Sequence, residues 1–162
     1  MVAVPQTIRT QSELVQSLAA EAASFHDFVM LLQSEQDALV QGEVDKLIEL
    51  ARRKSEQIFQ LSQLAEARNR YLAGQGCSDM EQWLKRLDSN EAATPAATWK
   101  QLLNEAREAQ HLNQTNGVMI ETRLQHNQKA LAVLQAAANQ TSVYGPDGQP
   151  QGSGMGRPLG KV

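Results

Sequence analysis

Apolar residues recur at three-, four- and seven-residue steps along three long stretches of this chain, and glycines punctuate those stretches. A helical period sustained this far restricts the chain to long packed helices, because a strand would need alternation and a membrane span would need an unbroken apolar run. The first stretch places Leu14, Leu18, Phe25, Phe28, Leu32 and Leu39 on one face and predicts a helix over about 8–40. Gly42 stops it, and acidic Glu43 and Asp45 open the next helix, expected over about 43–73 with Val44, Leu47, Ala51, Ile58, Leu61, Ala65 and Leu72 on its seam. Two such helices joined by one glycine form an antiparallel hairpin. Lys54 falls on that seam, where its cation either snorkels outward or meets a carboxylate such as Glu35 of the facing helix.

The glycines of Gly74 and Gly76 end the second helix. Ser78 followed by Glu81 has capping-box spacing, so a short helix over about 79–88 is expected to carry Met80, Trp83, Leu84 and Leu87. Ser89 to Ala93 then reads as a loop. Thr94-Pro95 supplies a cap and a first-turn proline, and the last helix should run over about 95–140, interrupted only by Gly117. At about 1.5 Å per residue it outreaches either helix of the hairpin by roughly 20 Å, so part of its surface stays uncovered unless another chain covers it. The expected architecture is all-α: an elongated antiparallel hairpin, a short helix and a very long C-terminal helix in a coiled-coil-like three-helix bundle. It forms a single helical domain over about 1–140. Beyond it, residues 141–162 hold 6 of the 10 glycines and 3 of the 5 prolines, the composition of a flexible tail.

Composition narrows the function. Fifteen Lys and Arg face eighteen Asp and Glu, a formal charge of −3 that excludes a basic nucleic-acid binder. No apolar run approaches the ~18 residues of a membrane span, and Met1 to Gln6 lacks the regions of a signal peptide, so no membrane insertion and a cytoplasmic location are expected. The single Cys77 cannot close an internal disulfide, which fits a reducing compartment. His26, His111 and His126 have no second ligand at metal-site spacing. The isolated Glu108-x-x-His111 lacks the second copy and the further carboxylates that a di-iron bundle needs. With no phosphate loop, nucleophile elbow or Cys/His cluster, the sequence predicts no catalytic residue, no metal and no cofactor.

What remains is the face of the last helix. Leu103, Ala106, Gln110, Asn113, Gly117, Ile120, Leu124, Asn127, Leu131, Leu134 and Ala138 keep helical steps, so two asparagines, a glutamine and a glycine interrupt an apolar seam. A mid-helix glycine costs about 1 kcal/mol relative to alanine, which suits a place where another backbone approaches or the helix bends. Past it, Ile120, Leu124, Leu131 and Leu134 form an amphipathic face fit to receive an apolar partner helix.

The run Trp99 … Leu112-Asn113-Gln114-Thr115-Asn116-Gly117 … Asn127-Gln128-Lys129-Ala130-Leu131, followed by Val143-Tyr144-Gly145-Pro146-Asp147-Gly148, resembles the FlgN family of flagellar export chaperones. Its Asn-x-x-Asn-Gly, Asn-Gln-x-Ala-Leu and Tyr-Gly-x-Asp-Gly signatures occur here in order, over about residues 99–148. The resemblance implies a cytoplasmic bacterial protein, not an enzyme. Such a protein binds the helical terminal segments of flagellar hook-associated proteins, prevents their premature association and delivers them to the type III export gate. It places cargo binding on Asn113, Gly117, Ile120, Leu124, Asn127, Leu131 and Leu134. Docking to the cytoplasmic domain of the gate falls to Tyr144, Gly145, Asp147 and Gly148, with the export ATPase complex as a further candidate partner. A monomer or small homo-oligomer is expected. The competing reading of the same periodicity is a coiled-coil structural adaptor that self-associates through its heptads.

Overall fold

Thr10 starts the first helix through a reciprocal pair of bonds: its hydroxyl accepts from the Glu13 N–H at 3.2 Å, and the Glu13 carboxylate accepts from the Thr10 N–H at 3.2 Å. This capping box fixes the start of α1 (Gln11–Gln41), three residues later than periodicity alone suggests. The computed structural model describes residues 7–143, and all helices named below lie within them. Gly42 ends α1 at φ 76°, a left-handed conformation, with its N–H bonded to the Ala38 carbonyl at 2.9 Å. The chain re-enters a helix at once as α2 (Val44–Gly74).

Two ion pairs measure the hairpin's register. Glu35 meets Lys54 and Glu21 meets Arg68, and both pairs of residue numbers sum to 89, as antiparallel neighbours must. The packed face of α2 nevertheless differs from the expected seam. Leu50, Leu61, Leu64, Ala67 and Leu72 are buried, while Val44, Ala51 and Ile58 are exposed. Leu50 is turned inward because it fills the space beside Leu31 and Ala38 of α1.

The third helix is shorter and capped differently than the sequence suggests. α3 (Met80–Leu84) is capped by Asp79, whose carboxylate accepts from the Gln82 N–H at 2.7 Å, and not by Ser78. An ionised carboxylate is the stronger acceptor for a helix N-terminus than a hydroxyl. Glu81, the expected partner in a Ser78 box, instead accepts the indole N–H of Trp99 at 3.0 Å. Three-residue bonds from Arg86 to Trp83 and from Leu87 to Leu84 tighten the chain out of the helix, and the Arg86 guanidinium ties it to the Gln75 and Gly76 carbonyls.

The expected loop at 89–93 is helical. α4 (Ser89–Val143) begins before Pro95, with the Ala92 N–H already bonded to the Asp88 carbonyl at 2.8 Å. Proline inside a helix forfeits the bond to the residue four earlier, here Glu91, and at the seventh position of α4 the loss falls beyond the N–H groups that lack partners in any helix. Its ring is fully buried, which offsets the loss.

The chain divides into two units, Met1–Met119 and Ile120–Val162. In the first unit α1 packs on both α2 and α4. Ile8, Leu14, Leu18 and Ala22 pack with Ala67 and Leu72 of α2, Cys77, Met80 and Trp83 around α3, and Leu102 of α4. A second cluster joins Phe28, Val29 and Leu32 to Leu61, Ala109 and Leu112. Bonds from α1 to α4 span 79, 81 and 84 residues, so over this stretch α4 runs parallel to α1. Buried carboxylates pin these clusters together. The Glu21–Arg68 pair sits beneath Trp99, whose ring centroid lies 4.9 Å from the Arg68 guanidinium carbon, so side chains of all four helices meet in one network with Glu81.

Candidate partner-binding helix face

In the second unit, every residue from Ile120 to Asn139 is exposed. Ile120, Leu124, Leu131 and Leu134 retain 47, 55, 57 and 66 % of their accessible surface. With Asn127 they follow steps of four, three, four and three residues, so at ~100° per residue they occupy an arc of about 80° on one side of the helix. Isolated exposed leucines are ordinary on a protein surface, but a periodic row of them is an amphipathic face without a partner. The rest of the circumference carries Glu121, Arg123, His126 and, opposite the row, Lys129, which keep the helix solvated.

Upstream, the structure separates two faces that are adjacent in sequence. The residues of α4 that pack on α1 are Leu102, Ala109, Leu112 and Asn116. Each lies one position before Leu103, Gln110, Asn113 and Gly117, the members of the stripe that the sequence suggests. Asn113 and Gly117 are therefore exposed, and a Cβ built on Gly117 would meet no atom within 4 Å. Internal packing does not demand a glycine there. The expected cargo-binding residues thus all lie on exposed surface, Asn113 and Gly117 within the first unit and the other five within the second.

Asn116 is the residue that sequence reasoning passed over. It is fully buried, and its Nδ2 donates to the Leu32 carbonyl and to the Glu35 carboxylate, both at 2.8 Å. Glu35 in turn accepts from Lys54 at 3.0 and 3.2 Å, the seam pairing that the sequence offers as one alternative. An asparagine three residues after another, at the end of the apolar run Leu102, Ala109 and Leu112, carried the signal.

Tyr144, Gly145, Asp147 and Gly148 lie outside the described residues. Among the described residues no group of three or more His, Cys, Asp or Glu is arranged to hold a metal, and no helix is long and apolar enough to cross a membrane. Cys77 is buried in the core beside Met80 and Trp83. His111 is exposed, and Glu108 beside it is exposed as well.

Comparison with known proteins points to one family. A family model described as "FlgN protein" matches residues 1–152. The "Flagella synthesis protein FlgN" of Proteus mirabilis is 29% identical over 147 residues, covering 87% of this chain and 92% of the relative. The protein of the same name from Yersinia enterocolitica is 38% identical over 66 residues, which is 40% of this chain and 44% of the relative. No solved structure matches.

Proposed function

Because this chain belongs to the FlgN family, we propose that it serves flagellar assembly as an export chaperone. In this reading it captures the helical terminal segments of hook-associated proteins on the exposed face of α4 and delivers them to the type III export gate in the bacterial cytoplasm. One observation carries the reading: the unpartnered row Ile120, Leu124, Leu131 and Leu134, in a stretch whose every side chain from 120 to 139 is exposed. A row of this spacing accepts an amphipathic helix laid alongside it.

The energetics suit a carrier. Fully burying a Leu or Ile side chain contributes about 1.5–3 kcal/mol, so covering the remaining half of each of four contributes about 4 kcal/mol from this side of the interface. The cargo side adds a comparable amount, and ordering the incoming segment removes 2–5 kcal/mol or more. The surplus is enough for capture and small enough for release. Gly117 supports the same reading, since it leaves backbone accessible near the start of the row without any internal packing reason. Tyr144, whose ring would anchor the docked tail at the gate, lies outside the described residues, and its role rests on the family resemblance.

A pull-down tests the cargo site. Leu124→Glu with Leu131→Glu is expected to abolish capture of hook-associated proteins while circular dichroism retains the helical content. Retained capture would refute the site. Tyr144→Ala is expected to weaken binding to the cytoplasmic domain of the export gate and leave cargo capture intact, and equal loss of both would make the tyrosine structural.

A further inference from the structure

We propose that Asn116 is a register clamp: one amide nitrogen bridges the α1 backbone and the buried Glu35–Lys54 pair of the hairpin, and so sets which residues of α4 face α1. Three observations carry this. Asn116 is 0% exposed and Glu35 5%, and the Nδ2 of Asn116 reaches both the Leu32 carbonyl and a Glu35 oxygen at 2.8 Å. Glu35 also accepts from Lys54, so a single carboxylate joins α1, α2 and α4. Finally, the Oδ1 of Asn116 is buried and accepts no hydrogen bond among the described residues.

The third observation argues that the residue is there for specificity. A buried amide with one orphaned oxygen is a poor source of stability, because the unmatched acceptor costs about 1–3 kcal/mol. A polar group in an apolar seam nevertheless fixes register, since any displacement strands it without partners. Near Asn116 this face constrains register weakly. Pro95, Trp99 and Leu102 anchor its N-terminal end, but between Leu102 and Asn116 the buried apolar members are Ala109, a single methyl group, and Leu112, while Leu103, Ala106 and Gln110 offer a rival face about 100° away. A further polar tie between α1 and α4, His26 to Glu105 at 3.2 Å, joins a largely exposed histidine to a less exposed carboxylate and restrains little. Only the packing face that the structure adopts puts Asn116 on Glu35. The Asn of Asn116-Gly117 therefore turns inward and the glycine remains on the surface.

The test uses the free protein, so its outcome is independent of the cargo reading. Spin labels at Asp37→Cys on α1 and Gln114→Cys on α4, both exposed sites, report register by pulsed dipolar spectroscopy in a Cys77→Ala background. Hydrogen exchange on the same protein without labels reports local opening. With Asn116 present, one narrow distance is expected. Asn116→Ala should spread that distance, because a rotation of α4 by ~100° onto the rival face carries the Gln114 label around the helix, and raise exchange over 109–119 at least tenfold while 99–105 stays protected. Asn116→Leu restores volume without the donor, and it should keep the spread distance. A single unchanged distance in Asn116→Leu would show that packing alone sets register and would overturn the clamp. So would unchanged exchange in Asn116→Ala, or a uniform rise along the whole of α4.

Discussion

Replacing Arg68 tests the central network of the bundle. Its guanidinium donates two bonds to Glu21, at 2.9 and 3.1 Å, and lies over the ring of Trp99. Glu21 is 1% exposed, so Arg68→Met leaves a carboxylate buried without its cation. Breaking a buried pair from one side costs about 3–5 kcal/mol, and losing the contact with Trp99 adds about 0.5–2 kcal/mol. At about 2–4 °C per kcal/mol for a chain of this size, the midpoint of thermal unfolding should fall by roughly 10 °C or more. Removing both charges is a different perturbation. Glu21→Leu with Arg68→Met leaves no unmatched ion, and apolar replacement of buried pairs is often neutral or stabilising by about 1–4 kcal/mol. The double variant should therefore recover most of the loss, giving a large coupling in a double-mutant cycle followed by urea unfolding. A single-variant loss below ~1 kcal/mol, the range of exposed pairs, would refute the argument from burial. So would a double variant as unstable as the single one.

Gly117→Ala should raise helix stability by about 1 kcal/mol, because the added methyl meets nothing within 4 Å. It should also weaken cargo binding measured by titration if the incoming backbone packs there; improved stability with unchanged affinity would remove Gly117 from the site. The Gln82 N–H, with the Ser78 hydroxyl, holds the Asp79 carboxyl below its ordinary value. A depressed folded-state value means that the cap's contribution is present above the unfolded value and is lost as pH falls through the folded one. Exchange at 80–84 should therefore rise on acidification, and Asp79→Asn, which keeps an acceptor, should flatten that dependence. Insensitivity of the wild-type α3 to acid would contradict the assigned cap.

The sequence already told of the three long helices and the Gly42 turn, and offered the meeting of Lys54 with Glu35 as one of two alternatives, because each rests on local chemistry: period, left-handed glycine, or charge opposite charge. It misplaced the faces. Leu102 and Leu103 are identical side chains one position apart, and periodicity cannot choose between them, whereas the distances from α4 to Leu32 and Glu35 can. Pro95 misled for a related reason. Proline marks a helix start in the average chain, but its burial here holds it inside the first turns of a helix that begins at Ser89. Asp79 displaced Ser78 as a cap because two good acceptors stood side by side and Glu81 was drawn to Trp99. The row Ile120, Leu124, Leu131 and Leu134 was visible as a pattern, and the excess length of the last helix foretold that part of its surface is uncovered; how much of each side chain stays exposed came only from the structure.

Isothermal titration of the full chain with the terminal helical segments of the hook-associated proteins from its own organism, against a scrambled segment, tests the central claim most directly. Saturable binding of the native segments with a negative heat-capacity change, the mark of apolar burial, is expected, and none for the scrambled control. Absence of binding with both partners folded would contradict the claim, and would leave the exposed face of α4 to the self-associating adaptor.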